Sequence, residues 1–121
     1  RGGKNLSKIK QAKIIAKQVR FELENAKNKT LEDVRKSWLE LKTSETMLSS
    51  AKVSLEAKKL IFTGVEQEAK VGIKSYIDIL KSQEDLHDAE LEEIKAQNQF
   101  VLSALKLKAN IGELSLKDLD I

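Results

Sequence analysis

From Val19 to Ala69 apolar or small residues recur in alternating steps of three and four, as Val19, Leu23, Ala26, Thr30, Val34, Ser37, Leu41, Ser44, Leu48, Ala51, Leu55, Lys58, Phe62, Val65 and Ala69. Such a spacing keeps one face of an α-helix on a single line, and about seven heptads of it exceed the three or four that argue for a coiled coil. No proline interrupts it. Ser, Thr and Ala fill many seam positions where a self-contained dimer would carry Leu or Ile, so helices can approach closely. A second stripe, Ile14, Phe21, Leu31 and Trp38, gives the same helix another partly apolar face. Two such faces imply neighbours on both sides, as in a sheet or barrel of helices.

The pattern breaks once, at Val71-Gly72-Ile73-Lys74-Ser75-Tyr76-Ile77-Asp78-Ile79-Leu80. A glycine between two helical patterns is a helix stop and a reversal, because it enters the left-handed region without a Cβ penalty. Ser75 fits the N-cap of a returning helix, with Asp78 three residues on at the positive end of its dipole. The expected fold is all-α, a long antiparallel helical hairpin. Its helices cover 4–69 and 76–110, its tip 70–75, and its tail 111–121, with Gly112 closing the second helix as the residue after its end, all in one domain over 1–121. The returning helix carries two stripes. One is Ile77, Leu80, Glu84, His87, Leu91, Ile94, Asn98, Val101 and Leu105; the other is Tyr76, Ile79, Gln83, Leu86, Phe100, Ala104, Leu107 and Ile111. At 1.5 Å per residue the helices measure roughly 100 Å and roughly 50 Å, so the segment from Lys4 to about Val34 is expected to lack a partner within the chain. Gly64 is either a tolerated small residue at a crossing or a hinge.

Charge is unevenly placed. Residues 1–75 hold 17 Lys/Arg against 9 Asp/Glu (+8) and residues 76–121 hold 5 against 10 (−5), which sum to the net +3. Folding about Gly72 sets the acidic run Glu84, Asp85, Asp88, Glu90, Glu92, Glu93 opposite Lys52, Lys58 and Lys59. Arg1 to Arg20 carries seven basic residues and no acid. With those lysines spread round the helix and no aromatic platform, no nucleic-acid partner is expected. Zero cysteines and a single histidine, His87, leave no metal-ligand set. No phosphate loop, nucleophile–base pair or paired carboxylate is spaced for catalysis, so the expectation is no enzyme, no cofactor and no metal. No run approaches the roughly 18 apolar residues of a membrane helix. The absence of an initiator Met before Arg1-Gly2-Gly3 points to a piece of something longer.

Taken in order, the landmarks Gly2-Gly3, Val71-Gly72-Ile73, Ile77-Asp78-Ile79-Leu80, Leu107 to Leu114 with its Gly112, and Lys117-Asp118-Leu119 resemble the outer membrane efflux protein family, the TolC-like channels of Gram-negative bacteria. That family shows a Gly-Gly after a β-strand, a very long helix, a Val-Gly-Thr tip, a Val-Asp-Val-Leu helix start and a second helix ending near Leu-Gly-x-Leu. The resemblance covers essentially the whole chain. It implies the periplasmic helical hairpin of the second of two internal repeats, a fragment of a trimeric α-barrel in an outer-membrane channel for multidrug efflux or type I secretion of proteins. Implied partners are two further copies, a periplasmic adaptor and an inner-membrane transporter, with membrane contact only through β-barrel strands not in this chain. Val71, Gly72 and Ile73 match the tip that adaptors contact. Lys74 and Asp78 match residues of the closed entrance, and Lys81 stands where some members carry a second acid. Plain capping by Asp78 is the alternative role, and a cytosolic coiled-coil scaffold binding partner helices is the alternative function.

Overall fold

A computed structural model describes residues 2–119; Arg1 and the last two residues of the expected tail, Asp120 and Ile121, lie outside the described residues. Helix α1 runs Gly2–Lys70 and α2 runs Tyr76–Leu119, and no strand occurs among the described residues. The two long helices pack as a hairpin. Each of two units draws on both helices: one holds α1 up to Lys36 with α2 from Lys108, the other is Ser37–Leu107.

In the Ser37–Leu107 unit the α1 seam is the one the heptads predict. Ser37, Leu41, Ser44, Leu48, Ala51, Leu55, Lys58, Phe62, Val65 and Ala69 are all buried or half-buried. The facing line on α2 is Ile79, Ser82, Leu86, Ala89, Glu93, Ala96, Phe100, Ser103 and Leu107, again in steps of three and four. It contains Ile79, Leu86, Phe100 and Leu107 of the second expected stripe. The first expected stripe is exposed throughout, from Ile77 at 75% to Leu105 at 57%. Across the whole described chain the buried residues are Thr30, Ser37, Ser44, Ser82 and Ser103, with only Leu55 and Ala89 apolar. Two helices have no third layer, so only a short side chain on the line of closest approach loses its water completely. The hydroxyls are met mostly within their own helix. Ser44 Oγ donates to Leu41 O at 2.8 Å, and Gln99 Nε2 reaches Ser103 Oγ at 3.5 Å. Ser82 Oγ is buried without a partner.

Lys58 shares a groove with Asp85, Asp88 and Glu92, as the charge reading places them. Direct ion pairs form otherwise. Lys59 pairs with Glu56 and Lys95 with Glu92 within their own helices, and the cross-helix pair of this unit is Lys106 Nζ–Glu40 Oε2 at 3.1 Å.

In the other unit Leu23, Ala26, Thr30 and Val34 face Asn110, Leu114 and Lys117, while Gly2 to Glu22 are exposed throughout. Here the structure departs from the expected boundaries. Gly112 does not end α2; it lies inside a helix that reaches Leu119, and Gly72 is the one glycine with positive φ among the described residues. Leu114 and Lys117 continue the seam past Gly112, and that packing outweighs a glycine's modest helix penalty. The tail is therefore helical up to Leu119, and the partnerless part of α1 ends near Glu22 rather than Val34. Helix α1 also begins at Gly2, ahead of the expected Lys4.

Gly64 sits in unbroken helix, and a Cβ there would meet nothing within 4 Å. Gly64→Ala is expected to stabilise the hairpin by about 1 kcal/mol through helix propensity. Ser82→Ala should contribute about 1 kcal/mol more by removing a buried hydroxyl that nothing satisfies. Thermal unfolding followed by circular dichroism reads both; a lowered midpoint for either variant contradicts the packing described.

Candidate docking and entrance site at the hairpin turn

The chain reverses between Lys70 and Tyr76 through two complementary devices. Gly72, at φ 80°, donates to Ala69 O at 3.1 Å, while Ile73 N donates to Glu68 O at 2.8 Å and Lys74 N to the same oxygen at 3.3 Å. Bonds of this six-to-one and five-to-two kind form a Schellman motif and satisfy carbonyls that the end of α1 leaves open. One residue later α2 is capped. Asp78 N donates to Ser75 Oγ at 3.3 Å, and Asp78 Oδ2 accepts from Ser75 N at 2.8 Å and from Ser75 Oγ at 3.0 Å. Ile79 N to Ser75 O, 3.3 Å, is the first bond of the helix. This is a capping box with aspartate in the usual glutamate place.

The turn presents its apolar side chains outward. Val71 is 72% exposed and Ile73 70%, and Lys74 and Lys81 are also exposed, whereas Asp78 is half-buried. The structure thus brings Val71, Gly72 and Ile73 together at the apex and sets Lys74, Asp78 and Lys81 at the start of α2. Tyr76 and Ile77 join the apolar apex, at 72% and 75% exposed. Tyr76 is absent from the sequence-based tip because periodicity assigns it to a stripe; its place directly after the N-cap was the available signal.

Hydrogen bonding from the Ser75 backbone amide, then from its hydroxyl, holds the Asp78 carboxyl below its ordinary range, with smaller help from the charges of Lys74 and Lys81. The apex offers exposed apolar surface beside fixed charges of both signs, which suits protein docking and ion steering. His87 Nδ1 lies 3.3 Å from Glu90 Oε2 on an exposed face, and among the described residues no three His, Cys, Asp or Glu converge as metal ligands. No described helix is long and apolar enough to cross a membrane.

Because the folded Asp78 value is depressed, its contribution is complete above the ordinary aspartate value of the unfolded chain and is lost as pH falls through the folded one. The Ser75 amide proton should therefore titrate, by NMR, with a midpoint below that of an ordinary aspartate. Ser75→Ala removes the hydroxyl donor but keeps the amide, so it should reduce this shift without abolishing it and cost about 1 kcal/mol as a lost N-cap. An amide that titrates at the ordinary position contradicts the cap.

Residues 1–113 match the family model described as outer membrane efflux protein. The chain is similar to the outer membrane efflux protein BepC of Brucella suis biovar 1, 24% identical over 120 residues, which covers 99% of this chain and 26% of that protein. It is similar to the outer membrane protein TolC of Vibrio cholerae serotype O1, 32% identical over 124 residues, 97% of this chain and 27% of that protein. It is also similar to the alkaline protease secretion protein AprF of Pseudomonas aeruginosa, 21% identical over 120 residues, 99% of this chain and 25% of that protein. The chain thus spans about a quarter of the length of these relatives. No solved structure matches it significantly.

Proposed function

Because the chain belongs to the outer membrane efflux protein family, we propose that it is a periplasmic helical hairpin of an outer-membrane efflux or secretion channel, part of a trimeric α-barrel. The observation that carries this reading is the apolar surface the hairpin leaves open. Leu39, Val53 and Leu60 on α1 each precede a seam residue by two, and Ile77, Leu80, Leu91, Ile94, Val101 and Leu105 line α2; all are exposed. A duct wall one helix thick requires such surface, since each helix then has a neighbour on either side. BepC is named for efflux and AprF for protease secretion, which supports this reading. In this role drugs or proteins leave through the duct, with an inner-membrane transporter and a periplasmic adaptor completing the pathway.

The adaptor docks on Val71, Gly72 and Ile73, and Tyr76 extends that surface. Lys74, Asp78 and Lys81 line the entrance. Asp78 serves both as cap and as entrance charge, while Lys81 offsets a purely cation-selective ring.

Two experiments on the full-length protein test the assignments. In planar-bilayer recordings Asp78→Asn, which keeps acceptors for the cap, should reduce cation preference, and Lys81→Gln should increase it. Unchanged selectivity in both would sink the entrance role. Gly72→Leu forces a bulky residue into the left-handed region at a strain of about 1–2 kcal/mol, so it should cut efflux several-fold while trimers still assemble. Normal efflux from that variant would remove the docking role of the turn.

A further inference from the structure

The unit built from α1 up to Lys36 and α2 from Lys108 holds polar side chains where a seam would ordinarily be apolar. Lys117 Nζ donates to Ala26 O at 3.4 Å and to Thr30 Oγ1, and pairs with Glu113 Oε1 at 3.2 Å. Thr30 is only 2% exposed and its hydroxyl also donates to Ala26 O at 2.9 Å. Beside it Lys27 Nζ lies 3.7 Å from Asp118 Oδ1, its side chain 19% exposed. One heptad back along α2, Asn110 Nδ2 donates to Asp33 O at 3.4 Å.

These contacts repeat with the period of the antiparallel pair. Asn110 and Lys117 are seven residues apart on α2, and the carbonyls they reach, Asp33 O and Ala26 O, are seven apart in the opposite direction on α1. A slip of four residues, one step along the seam, leaves both side chains on it but sets Lys117 against Val34 or Ala26 in place of Thr30 and Asp118 against Leu31 or Leu23 in place of Lys27. A full-heptad slip would find a carbonyl again, but not the side chains. Shifted one way, Lys117 meets the hydroxyl of Ser37 while Asp118 faces Val34 in place of Lys27. Shifted the other way, Asp118 meets Arg20 while Lys117 faces Leu23 in place of Thr30. Only the observed alignment gives Lys117 a hydroxyl and Asp118 a cation together.

We propose that Lys117, Asn110, Thr30 and the Lys27–Asp118 pair form a register clamp, which admits one alignment and one rotation of α2 against α1. A polar residue at a seam position has this effect in coiled coils, where it specifies register while lowering stability. The clamp also keeps the open face of α2 in this unit, with Leu116 at 65% exposure, turned away from α1. This inference does not rest on the channel reading, because helix register is measured directly.

The chain has no cysteine, so spin labels can be placed at the exposed positions Asn28 and Ser115 of the full-length protein, with any cysteine elsewhere in it replaced. Pulsed electron–electron double resonance on the labelled parent, diluted with unlabelled protein so that only spin pairs within one chain are read, should give one narrow distance distribution. Lys117→Met should broaden it or add a second maximum while the thermal midpoint stays level or rises, and Lys117→Arg should restore the single maximum. Thr30→Val, near-isosteric and compatible with folding, should broaden it to a lesser degree. A single narrow distribution in both Lys117→Met and Thr30→Val overturns the clamp. So does a lowered midpoint with the distribution unchanged, which reduces the cluster to an ordinary stabilising contact.

Discussion

Close approach of two helices along a line of small residues is the constraint from which the rest of this molecule follows. Ser37, Ser44, Ser82, Ala89 and Ser103 are buried because they are short enough to lie between the helix axes. Larger seam residues such as Leu48 and Phe62 stay half-exposed, since no third layer closes over them. Hydrophobic stabilisation scales with apolar area removed from water, and a pair of helices removes little of it. The interior therefore fixes the geometry more than it supplies stability. The long side chains that ordinarily form a core are left outside, on faces that only another helix can cover.

The turn meets its own polar demands without help from packing. A Schellman motif ends α1 and a capping box starts α2 with two residues between Gly72 and Ser75, so Glu68 O and Ala69 O at one helix end and Ser75 N and Asp78 N at the other find their partners locally. Charges follow the dipoles, with Lys70 in the last turn of α1 and Asp78 in the first turn of α2. Because the backbone is settled, Val71, Ile73 and Tyr76 owe nothing to the interior. Their side chains remain available to a partner.

Sequence reading recovered these parts unequally, for physical reasons. The α1 seam was legible residue by residue from Leu23 to Ala69, because an unbroken alternation of three and four is a property of position and survives Ser or Thr at the sites. The turn was legible because Gly72 and the Ser75–Asp78 spacing each have a specific backbone consequence. The α2 seam was only half legible: Ile79, Leu86, Phe100 and Leu107 stood out, but Ser82, Ala89, Glu93, Ala96 and Ser103 carry no hydropathy signal and the more apolar outer stripe competes with them. Gly112 misled for a different reason. Glycine permits a helix end without requiring one, and the contacts of Leu114 and Lys117 with α1 decide the matter in three dimensions.

The outer stripes constrain any assembly built from this hairpin. On α2 the seam residues Ile79, Ser82 and Leu86 and the open residues Ile77, Leu80 and Glu84 differ by two positions, roughly 200° round the helix. On α1 Leu39, Val53 and Leu60 stand in the same relation to Leu41, Leu55 and Phe62. Helix α2 is thus largely apolar on two opposite faces, the profile of a member of a single-layer wall, while on α1 the opposite line is mixed, with Leu39, Val53 and Leu60 set among Arg35, Lys42, Thr46, Ser49 and Glu56. An open wall would leave an apolar face bare at each edge, and curling it into a ring removes both edges at once. Glu84, His87 and Asn98 interrupt the open stripe of α2, so a neighbour there must bring polar partners at those heights and apolar ones at Leu91, Ile94, Val101 and Leu105. That alternation restricts which helix can lie alongside and at what height, and it does so before any contact at the turn is made.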